Sequence, residues 1–163
     1  MGAMNPTPAG LLRATASGVD VEIIREITSS RDDVWSSATV SDRTALWFGP
    51  WERLADNRIR VQMVFEDGEP WMEMNIDACE PPRRLAVSTT DGWALELVLT
   101  GDGPITTVTL IHHRESTDGV GEIGPGWEYY LDLLIASRTG AELPTFEEYY
   151  PAQKGYYESL TPR

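Results

Sequence analysis

Two clusters of helix-breaking residues, Gly124-Pro125-Gly126 and Gly140 with Pro144, bracket a segment with a strict helical period. Between them Trp127, Tyr130, Leu131, Leu134, Ile135 and Arg138 recur at i, i+3, i+4, i+7, i+8 and i+11. That spacing puts them on one face and predicts a helix over residues 126–138. A single helix cannot bury its apolar face alone, so this one must lie across a sheet built by the residues before it. The face carries Trp and Tyr, whose polar tips require partners when buried.

The preceding residues do alternate as strands. Val19, Val21, Ile23 and Ile27 form the first such run. Ser30 then precedes Arg31-Asp32-Asp33-Val34-Trp35 as an N-cap, and Ser41 to Phe48 opens a second short helix stopped by Gly49-Pro50. From there the period is two: Ile59, Val61, Met63 and Phe65; Met72, Met74 and Ile76; Leu85, Val87 and Thr89; Trp93, Leu95, Leu97 and Leu99; Val108, Leu110 and His112. Turn residues such as Asp67-Gly68 and Asp91-Gly92 separate the runs. The expected fold is α+β, a curved antiparallel sheet wrapped around a long C-terminal helix, with two short helices after the first strand. Residues 1–18 read as a flexible leader, and 19–163 as one domain. Within it residues 141–163 form a tail whose Phe146, Tyr149, Tyr150, Tyr156 and Tyr157 favour packing back on the domain. Gly119 to Gly124 departs from G-x-G-x-x-G and follows an antiparallel strand, so it reads as a flexible entrance loop.

Composition narrows the function. A net charge of −13 disfavours nucleic acid and anionic membrane surfaces as partners. No apolar run reaches the ~20 residues of a membrane span, and no signal peptide is legible, so the expected location is cytoplasmic. One cysteine, Cys79, excludes an internal disulfide. Two adjacent histidines, His112 and His113, make a poor basis for a zinc site. Neither a metal nor a cofactor is expected, and no nucleophile, carboxylate pair or phosphate loop marks a catalytic site.

Four blocks carry a resemblance: Ser29 to Trp35 with Leu46 to Pro50, Glu80-Pro81-Pro82-Arg83-Arg84-Leu85, Thr107 to His112, and Gly126-Trp127 leading into Leu131. In this order they resemble the activator-of-heat-shock-ATPase-like family of the START and birch-pollen-allergen (SRPBCC) superfamily, over residues 19–140. The resemblance implies the helix-grip fold, with a cavity between sheet and helix. The superfamily includes hydrophobic-ligand carriers, polyketide cyclases and aromatases, and chaperone cofactors, so it names no ligand.

The expected function is binding of a small hydrophobic or aromatic molecule in that cavity. The candidate ligand-binding residues are Trp47, Met63, Trp93, Leu95, His112, Trp127, Tyr130 and Leu134. Each has a plainer reading. The aliphatic and aromatic residues serve equally as core, Met63 as an adaptable core filler, and His112 as a hydrogen-bonded core histidine. Arg138 reads as a helix cap or surface ion pair sooner than a ligand carboxylate clamp. The alternatives are a cyclase- or aromatase-like enzyme with His112 as proton shuttle, and a chaperone-cofactor or protein-interaction module. A homodimer is possible in any of these cases.

Overall fold

The computed structural model describes residues 5–163. Its eight strands are β1 (Leu11–Ala14), β2 (Val19–Ile27), β3 (Trp51–Ala55), β4 (Arg58–Gln62), β5 (Trp71–Glu80), β6 (Arg84–Thr89), β7 (Ala94–Thr100) and β8 (Thr106–Arg114). They form one antiparallel sheet in the order β1-β2-β8-β7-β6-β5-β4-β3. The strands from β3 to β8 follow one another as a meander, and β2 closes onto β8 with Val21 opposite His112. Helices α1 (Arg31–Thr39) and α2 (Ser41–Thr44) turn the corner after β2, and α3 (Val120–Thr139) lies across the sheet. A 3-10 turn (Phe146–Glu148) and α4 (Lys154–Glu158) complete the chain. Among the described residues no helix is long and apolar enough to cross a membrane.

Local signals explain these elements. The Ser30 hydroxyl accepts the Asp33 N–H at 3.3 Å, capping α1. Gly140 ends α3 in the left-handed region at φ 71°, which costs a glycine little. Along β8, Val108, Leu110 and His112 are buried while Thr107, Thr109 and Ile111 are half-buried, as the alternation requires. Arg138 at the end of α3 pairs with Asp33 of α1 and bonds the Ser29 and Ser37 hydroxyls, fastening the helix to the corner. These bonds, with those from Ser29 and Arg43, lower the Asp33 pKa to about 2.

Three expectations need correction. First, α3 begins at Val120, not at residue 126, so Gly119 to Gly124 supplies its cap and first turn rather than an entrance loop. Pro125 removes one backbone bond without ending the helix. The neighbouring glycines serve packing: a Cβ on Gly124 would stand 2.4 Å from the Tyr157 ring, so only glycine lets α4 approach. Second, the leader is partly sheet. Leu11–Ala14 pairs with β2, Leu12 is buried opposite Val21, and Arg163 bonds the backbone of Leu12 and Ala14. Residues 1–4 of the expected leader lie outside the described residues. Third, Trp51–Ala55 forms an additional edge strand, whose side chains are mostly exposed and show no apolar alternation.

The back of α3 is covered as well as its front. Glu128 is 0% exposed, although the helical period assigns it to the polar face. Its Oε1 accepts from Arg25 Nη2 at 2.6 Å. Its Oε2 accepts from the Ala9 N–H at 2.7 Å, the Gly10 N–H at 3.2 Å and the Tyr157 hydroxyl at 2.6 Å. Arg25 also donates to Asp132, which accepts the Tyr149 hydroxyl at 2.7 Å. Both ends of the chain are thus fastened to one turn of α3. In the tail Tyr149 and Tyr157 are buried, whereas Phe146 and Tyr156 remain exposed at 41% and 36%.

Candidate functional site

The space between sheet and helices is not filled. A smaller cavity of about 290 Å³ lies under the helical corner, and a larger one of about 670 Å³ lies under the N-terminal half of α3. Phe48, Met74, Leu95 and Trp127 line both, so these side chains form a partition between two chambers.

The smaller chamber is built from the corner and the sheet centre. Trp35, Trp47 and Trp51 project into it against Ile59, Val61, Leu85, Val87 and Leu97. The polar tips of two indoles are satisfied by the carbonyls of α1: Trp47 Nε1 donates to Ser37 and Trp51 Nε1 to Thr39, each at 2.8 Å. Those bonds hold the rings as walls. Thr44, beside them, donates its hydroxyl to the Gly49 carbonyl at 2.7 Å, and the charged lining residues Arg53 and Glu96 are the exceptions to an otherwise apolar wall. The chamber therefore presents hydrocarbon and aromatic faces, suited to an apolar group.

The larger chamber is lined by Met63, Phe65 and Met72 from the sheet side, by Trp93, by Trp127, Tyr129 and Tyr130 of α3, and by Phe146 of the tail. Its rim carries Glu66, Asp67, Glu122 and Glu147. The Tyr130 hydroxyl is buried without a hydrogen-bond partner. Burial first, and then the Glu66 charge, raise its pKa, so the phenol stays neutral.

Six of the eight candidate residues line these chambers. Trp47 lines the smaller, Met63, Trp93 and Tyr130 the larger, and Leu95 and Trp127 both. Leu134 lines neither; it is 1% exposed and belongs to the core. His112 also lines neither. It lies behind the wall, its ring 4.6 Å from that of Trp93, and its Nδ1 accepts the Trp127 indole N–H at 3.0 Å. Its role here is to hold Trp127, the central wall residue. Strand alternation placed Leu85 and Val87 on the inner face, but nothing in the sequence assigned them to a cavity rather than a packed core. The contributions of Trp35, Phe48 and Trp51 were missed, since their spacing carries no period. A rim acid such as Glu147 looks like any solvated charge until the tail is placed.

Because Nδ1 accepts a bond, the neutral His112 ring carries its proton on Nε2, which has no partner. Burial, with Arg114 and His113 nearby, lowers its pKa to about 4. The unfolded chain then binds a proton near pH 6.5 that the folded chain refuses until about pH 4. The associated stability is complete above pH 6.5 and lost as pH falls through that window, by on the order of 3 kcal/mol. His113, on the outer face, bonds Asp20 at 2.7 Å and Glu96 at 2.5 Å. Burial opposes its charge, but those bonds prevail and raise its pKa, so its contribution has the opposite sign and is lost as pH rises. A difference measurement isolates His112. At pH 7 His112→Phe leaves the Trp127 N–H unsatisfied and costs about 1–3 kcal/mol. In urea titrations the gap to wild type narrows between pH 6.5 and 4. A gap independent of pH would contradict the buried neutral histidine.

Comparison with known proteins agrees with this architecture. Residues 28–137 match the model of a family described as Activator of Hsp90 ATPase homolog 1-like protein. The chain is similar to the crystal structure of CalU16 from Micromonospora echinospora, with 25% identity, coverage of 94% of this chain and 96% of that one, and a TM-score of 0.73. A conserved protein of unknown function from Enterococcus faecalis, EF2215, shares the fold at 19% identity, over 91% and 88% of the two chains, with a TM-score of 0.72. DynU16, from the dynemicin biosynthetic locus, does so at 24% identity, over 81% of this chain and 50% of its own, with a TM-score of 0.64. No curated protein matches the sequence.

Proposed function

We propose that this chain, which belongs to the activator of Hsp90 ATPase homolog 1-like family, binds a small hydrophobic, ring-bearing molecule between its sheet and α3. The observation that carries the reading is the hollow interior: adjoining chambers of about 290 and 670 Å³, walled by aromatic and aliphatic side chains. A protein stabilised only by its core would fill such space, because each void forfeits contacts and costs stability. The larger volume falls within the range of ordinary ligand pockets, and the few polar groups around it suit orientation of a bound molecule. Methionines at 63, 72 and 74 adapt to varied ligand shapes.

A cyclase- or aromatase-like reaction through His112 has less support. A shuttle needs a free acceptor nitrogen and a partner that directs the proton. Here Nδ1 is occupied by Trp127, and the pKa of about 4 leaves the ring a weak base. The chaperone-cofactor alternative gives no reason for a hollow core.

The test uses the neutral fluorescent probe N-phenyl-1-naphthylamine. Wild type is expected to bind it saturably, one to one. Met72→Trp, which narrows the larger chamber, should weaken binding tenfold or more while keeping the far-UV circular dichroism of the fold. Native mass spectrometry of protein isolated from its own host then identifies the natural occupant. Absence of saturable binding, together with an empty protein from the host, would reject the carrier reading.

A further inference from the structure

We propose that the larger chamber selects an organic cation: a hydrophobic, ring-bearing amine whose body lies against the aromatic walls and whose ammonium meets the carboxylates at the mouth. This rests on the cavity-binding reading above and narrows its ligand class.

The rim has one sign of charge. Glu66 and Asp67 come from the turn after β4, Glu122 from the first turn of α3, and Glu147 from the tail. No Lys or Arg is among the residues that line this chamber. Lys154 stands 3.3 Å from Glu122 and balances that carboxylate. Among the described residues no cation pairs with Glu66, Asp67 or Glu147. The smaller chamber differs: its one carboxylate, Glu96, is bound by Arg84 and His113, and a basic residue, Arg53, also lines it. Like charges gathered around low-dielectric walls concentrate the opposite charge at a cleft.

The interior supplies a second sign of a ligand. Tyr130 is 8% exposed, lines the chamber beside Glu66, and no hydrogen bond of good geometry reaches its hydroxyl. A buried hydroxyl left unpaired is costly, so an orphan on a cavity wall marks a place where a ligand atom belongs. An ammonium N–H donates to the phenol oxygen and satisfies it. A neutral hydrocarbon leaves it orphaned, and a carboxylate ligand would be repelled by the rim.

The walls fit the same class. Trp93, Trp127 and Tyr130 form a chain of rings, with centroids 6.2 Å apart for the first pair and 5.8 Å for the second. Tyr129 and Phe146 continue it toward the mouth at 5.6 Å. Aromatic faces attract an organic cation through the ring quadrupole, most strongly where water is excluded. The net charge of −13 places acids over the whole surface, but only this chamber joins ring walls to an orphan phenol and a rim of carboxylates without a basic residue.

The test compares three probes with one ring system by calorimetry at pH 7: 2-naphthylmethylamine, 2-naphthylmethanol and 2-naphthoate. The amine is expected to bind at least tenfold more tightly than the alcohol, and the carboxylate more weakly than either. The amine's advantage should shrink as salt rises from about 20 to about 500 mM, where screening shortens to a few ångströms. Combining Glu66→Gln with Glu147→Gln should remove most of that advantage and leave alcohol binding unchanged. Tyr130→Phe should weaken the amine and the alcohol, since both can donate to the phenol oxygen, and an unchanged affinity for both would remove Tyr130 from the site. Equal binding of amine and alcohol overturns the cation class and leaves the cavity reading intact. So does an amine that fails to bind a protein that still binds N-phenyl-1-naphthylamine. Failure of all four probes overturns both.

Discussion

Replacing Arg25 by alanine lowers the unfolding free energy by about 3 kcal/mol, measured by urea titration at pH 7. Removing one partner of a buried ion pair costs ~3–5 kcal/mol because the other charge remains buried without compensation. The low end applies here, since Glu128 keeps three donors on Oε2, from Ala9, Gly10 and Tyr157. Oε1, however, loses Arg25 at a position 0% exposed, and Asp132 keeps only Tyr149. Exposed pairs provide the control. Arg58 and Glu73, 36% and 53% exposed, lie on the outer surface, and Arg58→Ala should change stability by less than ~1 kcal/mol. If the two variants unfold at the same urea concentration, the buried cluster does not fasten the helix.

Ending the chain after Gly140 lowers the melting temperature by about 10–20 °C. The deletion removes Tyr149 and Tyr157, each almost wholly buried, at roughly 1.5–3 kcal/mol per large apolar side chain. It also strips the Tyr157 hydroxyl and the cover of α4 from Glu128, which adds the cost of an under-bonded buried charge. The sum exceeds ~5 kcal/mol, and for a chain of this size each kcal/mol is worth ~2–4 °C. The same deletion removes Phe146 and Glu147 from the larger chamber, so probe binding should weaken in parallel. A shortened chain that melts within ~3 °C of the full one would show that the tail is an accessory to the fold.

The sequence by itself determined the elements whose signal is local and periodic. The inner face of α3 was legible because Trp127, Tyr130, Leu131 and Leu134 repeat with the helix, and all four are buried. The strands from β4 to β8 were legible through alternation, as was the inward direction of His112. The family resemblance implied the helix-grip arrangement, and residues 28–137 match the family's model. Tertiary structure alone decided what depended on segments distant in the chain. Glu128 has the address of a solvated residue, and it is buried only because residues 9–10, Arg25 and Tyr157 converge on it from separations of 29 to 119 positions. β1 has too few residues to show a period, and its partner β2 supplies the pairing. Gly124 looks like a helix breaker in isolation and is a contact site once Tyr157 rests on it. The chambers are the clearest case. Binary patterning records which side chains point inward, whereas a cavity is the volume they leave unfilled, which depends on the spacing of whole elements.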